Sequence, residues 1–421
     1  MSDAHKNRRN SLYTIAGQAS VATLQVLQFL LVARSLGPHE FGLVASVTAI
    51  TGALVPFSGL GLGNVAIMRI ARGQASAAQL LGNALAVTSW TGALCVCAAF
   101  VIAQLSLGLS DIGLVVVAFG VADIIIGKYV DVAAHIFYAL ERNGTAALFY
   151  NLQLMLRVLF AGSLYLLPAP NALQWAGLYA CASVFTLGTV AWLTLREIGR
   201  PTWNRRESLS DAKVGAYFSM GLSGRAMATN VDKVMLARSA SNEICGAYTA
   251  AHRVIYIALV PVGAVILSMQ ARLFRAGHVA GLAGTIGLLG KLALVGTVYS
   301  GALGVVLFSA APLLRTVLGD AYALSTEVLQ ALCFLPLLLV LQEMAASALM
   351  GARGEKVMST LQACSAAGAF ALNAMLVPRY GWQGAVLAAY LLQVVLLAAV
   401  LGSMATLHAG RRQRLAEGNS S

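Results

Sequence analysis

The chain has 421 residues, of which 59% are hydrophobic and only 10% charged, with a mean hydropathy of +0.78. A soluble domain carries about 25% charged residues, so this chain cannot clothe a water-exposed surface; a soluble enzyme and a disordered chain are both excluded. Its net charge of +12 reads as Lys and Arg held in the cytoplasmic loops of a membrane protein rather than as a nucleic-acid surface, and no nucleic-acid partner is expected.

In chain order, the polar start MSDAHKNRRNS leads into an apolar stretch too long for a signal-peptide core and without a convincing cleavage site. It reads as a first spanning helix. A span needs about 20 mostly apolar residues. Twelve stretches qualify: 12–34, 40–69, 78–104, 112–139, 146–167, 172–195, 213–239, 243–271, 285–311, 325–350, 356–376 and 381–407. The longest polar interruption, 196–212, separates spans six and seven and divides the chain into halves 1–200 and 201–421. With the N-terminus in the cytoplasm, 18 of the 28 basic residues fall on cytoplasmic segments and four on the opposite side. That ratio puts both termini inside and supports an even number of helices.

The halves share features in the same order. ARS at 33–35 recurs at 237–239, an offset of 204, followed by Gly42 and Gly246 at the same spacing. Pro56 and Pro261 then lie in the following helices. LERNG at 140–144 and MGARG at 350–354 match at an offset of 210, as do Pro168 and Pro378. A six-helix unit keeps its orientation when repeated, so the expected architecture is two parallel six-helix bundles with a substrate path between them.

Charge inside a span costs about 2.5–3.5 kcal/mol at the helix centre on insertion scales and marks a cavity or a partner. Span one carries Thr14, Gln18, Gln25 and Gln28 on one helical face. Span four holds Lys128, Asp131 and His135 on one stripe, with Asp123 further out, and span five holds Arg157. Span seven contains Arg225, Asp232 and Lys233; span eight contains His252 and Arg253 near mid-depth; span ten contains Gln342 and Glu343. Two readings of these charges stand. Lys128 with Asp131 and Arg225 with Asp232 are candidate structural ion pairs. Alternatively, a basic excess of six in-span cations over four in-span acids suits an anionic ligand such as a phosphate. Lys291, near the inner end of span nine, fits snorkelling to headgroups.

Enzyme signatures are missing from the sequence. Neither GxxxxGK[ST] nor HExxH occurs, and no His, Cys or Asp cluster has metal-ligand spacing. No cofactor and no metal is expected. The six cysteines lie in apolar stretches and read as small core residues. GLGLGN at 59–64 follows no strand and reads as close helix packing at the end of span two.

Several segments resemble one family. ARSLGPHEFGLVA at 33–45 is similar to the segment between the first two helices of Wzx-type polysaccharide transporters, where an arginine is followed by LGP, an acidic residue and FG. VDKVMLARSASNEICGAYTAAHRV at 231–254, APLLRTVLGDAYALS at 311–325 and LERNG near 140 also resemble family segments. The resemblance spans nearly the whole chain and implies membership of the multidrug/oligosaccharidyl-lipid/polysaccharide (MOP) superfamily. It implies an all-α integral membrane protein of twelve transmembrane helices, in two six-helix lobes forming a V-shaped central cavity. The implied activity is flipping of undecaprenyl-diphosphate-linked oligosaccharide across a bacterial inner membrane, in O-antigen, lipopolysaccharide or exopolysaccharide synthesis, beside a polymerase and export machinery. By motif position, Arg253, Asp232 and Lys233 would lie on the cavity side. Arg225, Lys128, Arg157, Gln18 and Gln25 are further candidates for substrate contact, and Asp123, Asp131 and Glu343 for ion coupling. A multidrug cation antiporter of the same superfamily is the alternative. A membrane glycosyltransferase or polymerase is disfavoured by the short outer loops. A symporter of the other large parallel-repeat class is disfavoured by RIARGQASAAQ between spans two and three.

Overall fold

A computed structural model describes the backbone of residues 3–108, 112–280, 282–351 and 354–418. Side chains are described over a narrower set, without 3–19, 217–218, 264–265, 267–292, 355 and 407–418. Among the described residues there are helices and turns and no strand. In hydrocarbon every backbone polar group needs an internal partner, and a helix supplies one within a single segment.

The helices are α1 (Asp3–Leu54), α2 (Leu62–Ala71), α3 (Ala77–Leu107), α4 (Gly113–Gly120), α5 (Lys128–Ala139), α6 (Asn143–Gly162), α7 (Ala172–Ile198), α8 (Arg205–Ala228), α9 (Val231–Ser239) and α10 (Asn242–Ala280). They continue as α11 (Leu282–Ala310), α12 (Pro312–Leu318), α13 (Ala323–Leu332), α14 (Leu335–Gly351) and α15 (Glu355–Gly418). Each of the twelve apolar stretches expected from sequence coincides with helical chain. Among the described residues, eight helices are long and apolar enough to cross a membrane, or nine if the bent pair Asp320–Leu332 and Leu335–Gly351 is one span. Two of the eight, Ser20–Ala71 and Lys356–Thr406, contain sharp breaks at Gly37 (φ +70°) and Gly381 (φ +56°), so each holds two consecutive spans.

Local chemistry sets the helix ends. Ser76 caps α3 by accepting from the Gln79 N–H. Asn171 and Gln174 form a reciprocal capping box on α7, and the Glu40 carboxylate accepts from the Ala172 N–H at 2.7 Å. Asn204 caps α8. Gly108, at φ +65°, closes α3.

Two spans are irregular inside the membrane. Span two breaks over Val55–Gly61, a 3₁₀ segment in which Gly59, Leu60 and Gly61 are successively left-handed. GLGLGN therefore does not end span two; it interrupts it, and α2 continues for ten residues. Span four contains a π-helical stretch, Val121–Gly127, between α4 and α5. The irregular segments meet: Ser58 Oγ donates to the Ile124 carbonyl at 2.6 Å, and the Gly59 N–H donates to Thr91 Oγ1 at 2.8 Å. Buried side-chain hydroxyls replace part of the lost helical ladder.

Packing divides the chain into two compact units, Met1–Gly246 and Ala247–Ser421. In the first, Leu62, Leu80, Val132 and Ile136 form one buried cluster, and Val130, Phe137, Phe149 and Val190 another. In the second, Val262 and Ile266 pack on Val340 and Met344, while Leu349, Met358 and Val400 cluster separately. The division falls after Gly246. The reason is that α8 packs on the broken segment of span two, on α2 and on α3, while α9 packs on α1.

Candidate functional site: intramembrane charge networks

In the first unit, two carboxylates eight residues apart on span four organise separate networks. Asp131 accepts from Lys128 Nζ at 2.8 Å and from the Tyr150 hydroxyl at 2.8 Å. His135 Nδ1 lies 3.3 Å from the Asp131 carboxylate and 2.8 Å from its carbonyl oxygen. The predicted helical stripe is present, because all three residues lie on the regular helix α5. Its neighbours hold it in place. Lys128 lies along Gly59, where a Cβ would stand 3.5 Å from Lys128 Cγ, and His135 lies on Gly63. The glycines of GLGLGN thus do serve close packing, here of helix against charged side chains.

Asp123 sits in the π-helical stretch. It accepts from Arg157 Nη2 at 3.0 Å and from the Tyr179 hydroxyl at 2.6 Å. The Arg157 guanidinium also lies 4.0 Å above the Tyr179 ring, a cation–π contact. Phe119 and Trp175 flank that ring. Arg157 is 11% exposed and its buried Nε has no partner. The extra residue of a π-turn re-aims the side chains around it, and here it accompanies an Asp123 that faces α6 and α7. Tyr150 and Tyr179 were missed in the sequence analysis. Their phenol donors were legible only as polar tips in apolar helices.

On span seven the sequence pattern placed Arg225 and Asp232 on one helical face. A turn at Thr229 and Asn230 lies between the two residues, with α8 ending at Ala228 and α9 starting at Val231. Asp232 is buried and accepts from its neighbour, Lys233 Nζ, at 3.2 Å; the same Nζ donates to the Thr229 carbonyl at 2.6 Å. Arg225 is exposed. On span one Gln25 is exposed and Gln28 half-buried, while the side chains of Gln18 and Thr14 lie outside the described residues.

In the second unit Arg253 is exposed on α10. Its neighbour His252 is buried, stacked on Tyr248 with ring centroids 5.5 Å apart and edge-on to Tyr256 at 5.0 Å. Glu343 is half-buried on α14 beside the buried Gln342.

A further charge cluster in the first unit lies on the side expected to face the cytoplasm. Arg69 Nη1 stands 2.7 and 2.9 Å from the two carboxylate oxygens of Asp211, which is 6% exposed. Glu207 lies 3.7 Å from Arg69 and accepts from Gln79 Nε2 at 2.8 Å. The Thr202 N–H donates to the Ala78 carbonyl and the Asn204 N–H to Asn83 Oδ1. Arg69 is among the cations expected on cytoplasmic segments; its acidic partners are more than a hundred residues away in the chain. Among the described residues no group of three His, Cys, Asp or Glu side chains could hold a metal ion.

Bent and broken helices, two intramembrane carboxylate networks and successive apolar passes define a multi-pass membrane protein, and solved structures share its fold. An inward-facing multidrug resistance MATE family transporter of the MOP superfamily is 15% identical, covering 94% of this chain and 99% of its own, with a TM-score of 0.70. An outward-facing one is 17% identical over 96% of each chain, with a TM-score of 0.61. A MOP superfamily transporter from Pyrococcus furiosus Vc1, described by the reverse polarity of its binding pocket, is 15% identical over 96% of each chain, again at 0.61. Among curated proteins none matches the sequence. Residues 8–272 match the family described as "Polysaccharide biosynthesis protein", and the chain belongs to that family.

Proposed function

We propose that this protein is a flippase that carries a lipid-diphosphate-linked oligosaccharide across the membrane by alternating access. The observation that carries this reading is the exposure of two arginines near mid-span, Arg225 and Arg253. Asp123, Asp131 and Asp232 are each engaged by a cation, Arg157, Lys128 and Lys233. Among the described residues, Arg225 on α8 and Arg253 on α10 are exposed near mid-span. An arginine exposed at mid-span is costly against lipid tails and is served by a watery path. Guanidinium groups match phosphate oxygens in geometry and charge. Family membership supports a saccharide cargo. A sugar headgroup loses many water hydrogen bonds in hydrocarbon, and exposed polar side chains such as Gln25 would replace them.

In this reading the two lobes are 1–200 and 201–421, and the termini lie on the cytoplasmic side of a bacterial inner membrane. The cargo is an undecaprenyl-diphosphate saccharide, handed on to a polymerase and export machinery. Asp123, Asp131 and Glu343 are the candidates for ion coupling. A cation antiporter needs carboxylates presented to the path, and the engagement of three of them by cations disfavours it.

The test is flipping of a fluorescent undecaprenyl-diphosphate saccharide in liposomes, read with a membrane-impermeant quencher. The expected result is protein-dependent exposure of the lipid that falls at least tenfold in Arg253→Ala while the variant stays folded. Unchanged flipping by that variant removes Arg253 from the path. Cation efflux without lipid movement points to the antiporter.

A further inference from the structure

The two glycines that the repeat places 204 residues apart, Gly42 and Gly246, pack directly against each other. A Cβ added to Gly42 would overlap the Asn242 carbonyl and stand 2.8 Å from the Gly246 nitrogen. A Cβ added to Gly246 would overlap the Pro38 carbonyl and stand 3.0 Å from the Gly42 nitrogen. Pro38 and Asn242 are also 204 apart. The helix breaks that precede them obey the same offset, at Gly37 (φ +70°) and at Ser241, between α9 and α10. Each glycine therefore meets the carbonyl one turn before the other glycine. That is the reciprocal pattern of a two-fold contact, in which residue i touches j and j touches i. It relates the two sequence repeats within one chain.

We propose that Pro38–Gly42 and Asn242–Gly246 form a pseudo-two-fold glycine knuckle that closes the outer end of the transport path and parts to release the headgroup. The proposal rests on the transport reading and orientation given above, in which both segments follow outer loops. Backbone meets backbone here, through small residues that permit close helix approach and contacts of the Cα–H···O kind. Such a surface holds no ion pair that must be broken, so it can separate and re-form at small cost. Symmetry adds a constraint: either glycine alone suffices to wedge the contact.

The chain supplies its own reporter. Cys245 is fully buried beside the knuckle, with its thiol 3.3 Å from the Lys233 carbonyl oxygen. With the other five cysteines replaced by alanine, Cys245 labelling by a membrane-impermeant maleimide from the outer side reads the state of the contact. Protection is expected in the parent, with labelling at least tenfold faster in Gly42→Ala and in Gly246→Ala. The double variant should be no faster than either single, since one wedge has already opened the contact. Gly177→Ala, where a Cβ meets nothing within 4 Å, should label like the parent. Equal protection in the parent, both single glycine variants and the double variant overturns the knuckle as a closure. If the glycine variants do not elute as folded protein, the parent alone decides: labelling should accelerate when undecaprenyl-diphosphate saccharide is being flipped, and lipid flipping with Cys245 still protected overturns the proposal. Labelling that responds to the glycines while no lipid flips retains the knuckle and discards the saccharide cargo.

Discussion

Asp131 shows what one half-buried carboxylate does for this fold. It serves Lys128, His135 and Tyr150 together, and removing a partner from a fully buried pair leaves a stranded charge, which costs about 3–5 kcal/mol when solvent is excluded. Lys128 and Asp131 are 15% and 26% exposed, so the loss here should fall below that range, at about 2 kcal/mol after screening. Asp131→Asn is expected to lower the melting temperature in detergent, and Lys128→Met combined with Asp131→Asn to recover part of the loss. Additive losses would mean that the pair contributes no coupling. Arg157 makes a sharper case. Arg157→Lys keeps the charge but loses the flat guanidinium on the Tyr179 ring, so lysine is not a conservative replacement there. Thermal stability should drop for Arg157→Lys nearly as far as for Arg157→Met. The in-span charges were legible in the sequence because ionisable residues are rare in apolar runs. Their partners were less so. Lys128 with Asp131 followed from helical spacing, whereas the Arg157 pairing with Asp123 crosses from span five to span four and depends on how those helices pack.

At the scale of elements, the broken span two is the most informative piece. Three successive left-handed residues include Leu60, a non-glycine at φ +42°, which costs about 1–2 kcal/mol relative to helix. The break persists because Ser58, Gly59 and their partners on α3 and span four satisfy it, and because Gly215 of α8 lies against the Leu60 carbonyl with no room for a side chain. Gly215→Leu should push α8 off this surface and lower flipping activity more than expression; unchanged flipping would show that α8 does not need this contact. At the end of α2, Arg69 and Asp211 tie the same two helices by charge. Arg69→Asp and Asp211→Arg should each impair folding yield, and the exchanged double variant should restore much of it. Absence of rescue would mean that neighbouring Glu207 and Gln79 determine the geometry instead. Hydropathy located span two, but the break within it was read as an end. A run of small residues looks alike at a terminus and at an internal turn, and only the packing of α3, span four and α8 distinguishes the two.

For the whole molecule, composition alone pointed to a chain embedded in lipid throughout, because 10% charged residues cannot clothe a water-exposed surface, and apolar stretches of helix-spanning length made it helical. The order of apolar stretches determined where the helices run, since about 20 apolar residues are the length that crosses a bilayer. The asymmetry of Lys and Arg predicts both termini inside, and tags at the two ends should both be digested only from the cytoplasmic face of oriented vesicles; digestion of one tag from each face would refute the even count. The repeated ARS and glycine were also visible in the sequence. That Gly42 and Gly246 touch was not, because a repeat records that two segments are alike and says nothing about whether they meet. Tertiary structure decided that contact, the irregular turns of spans two and four, and the partners of Arg69 and Arg157. In each case the deciding energy comes from the fit between surfaces distant in the chain, where a missing side chain or a matched charge matters only once its counterpart is in place.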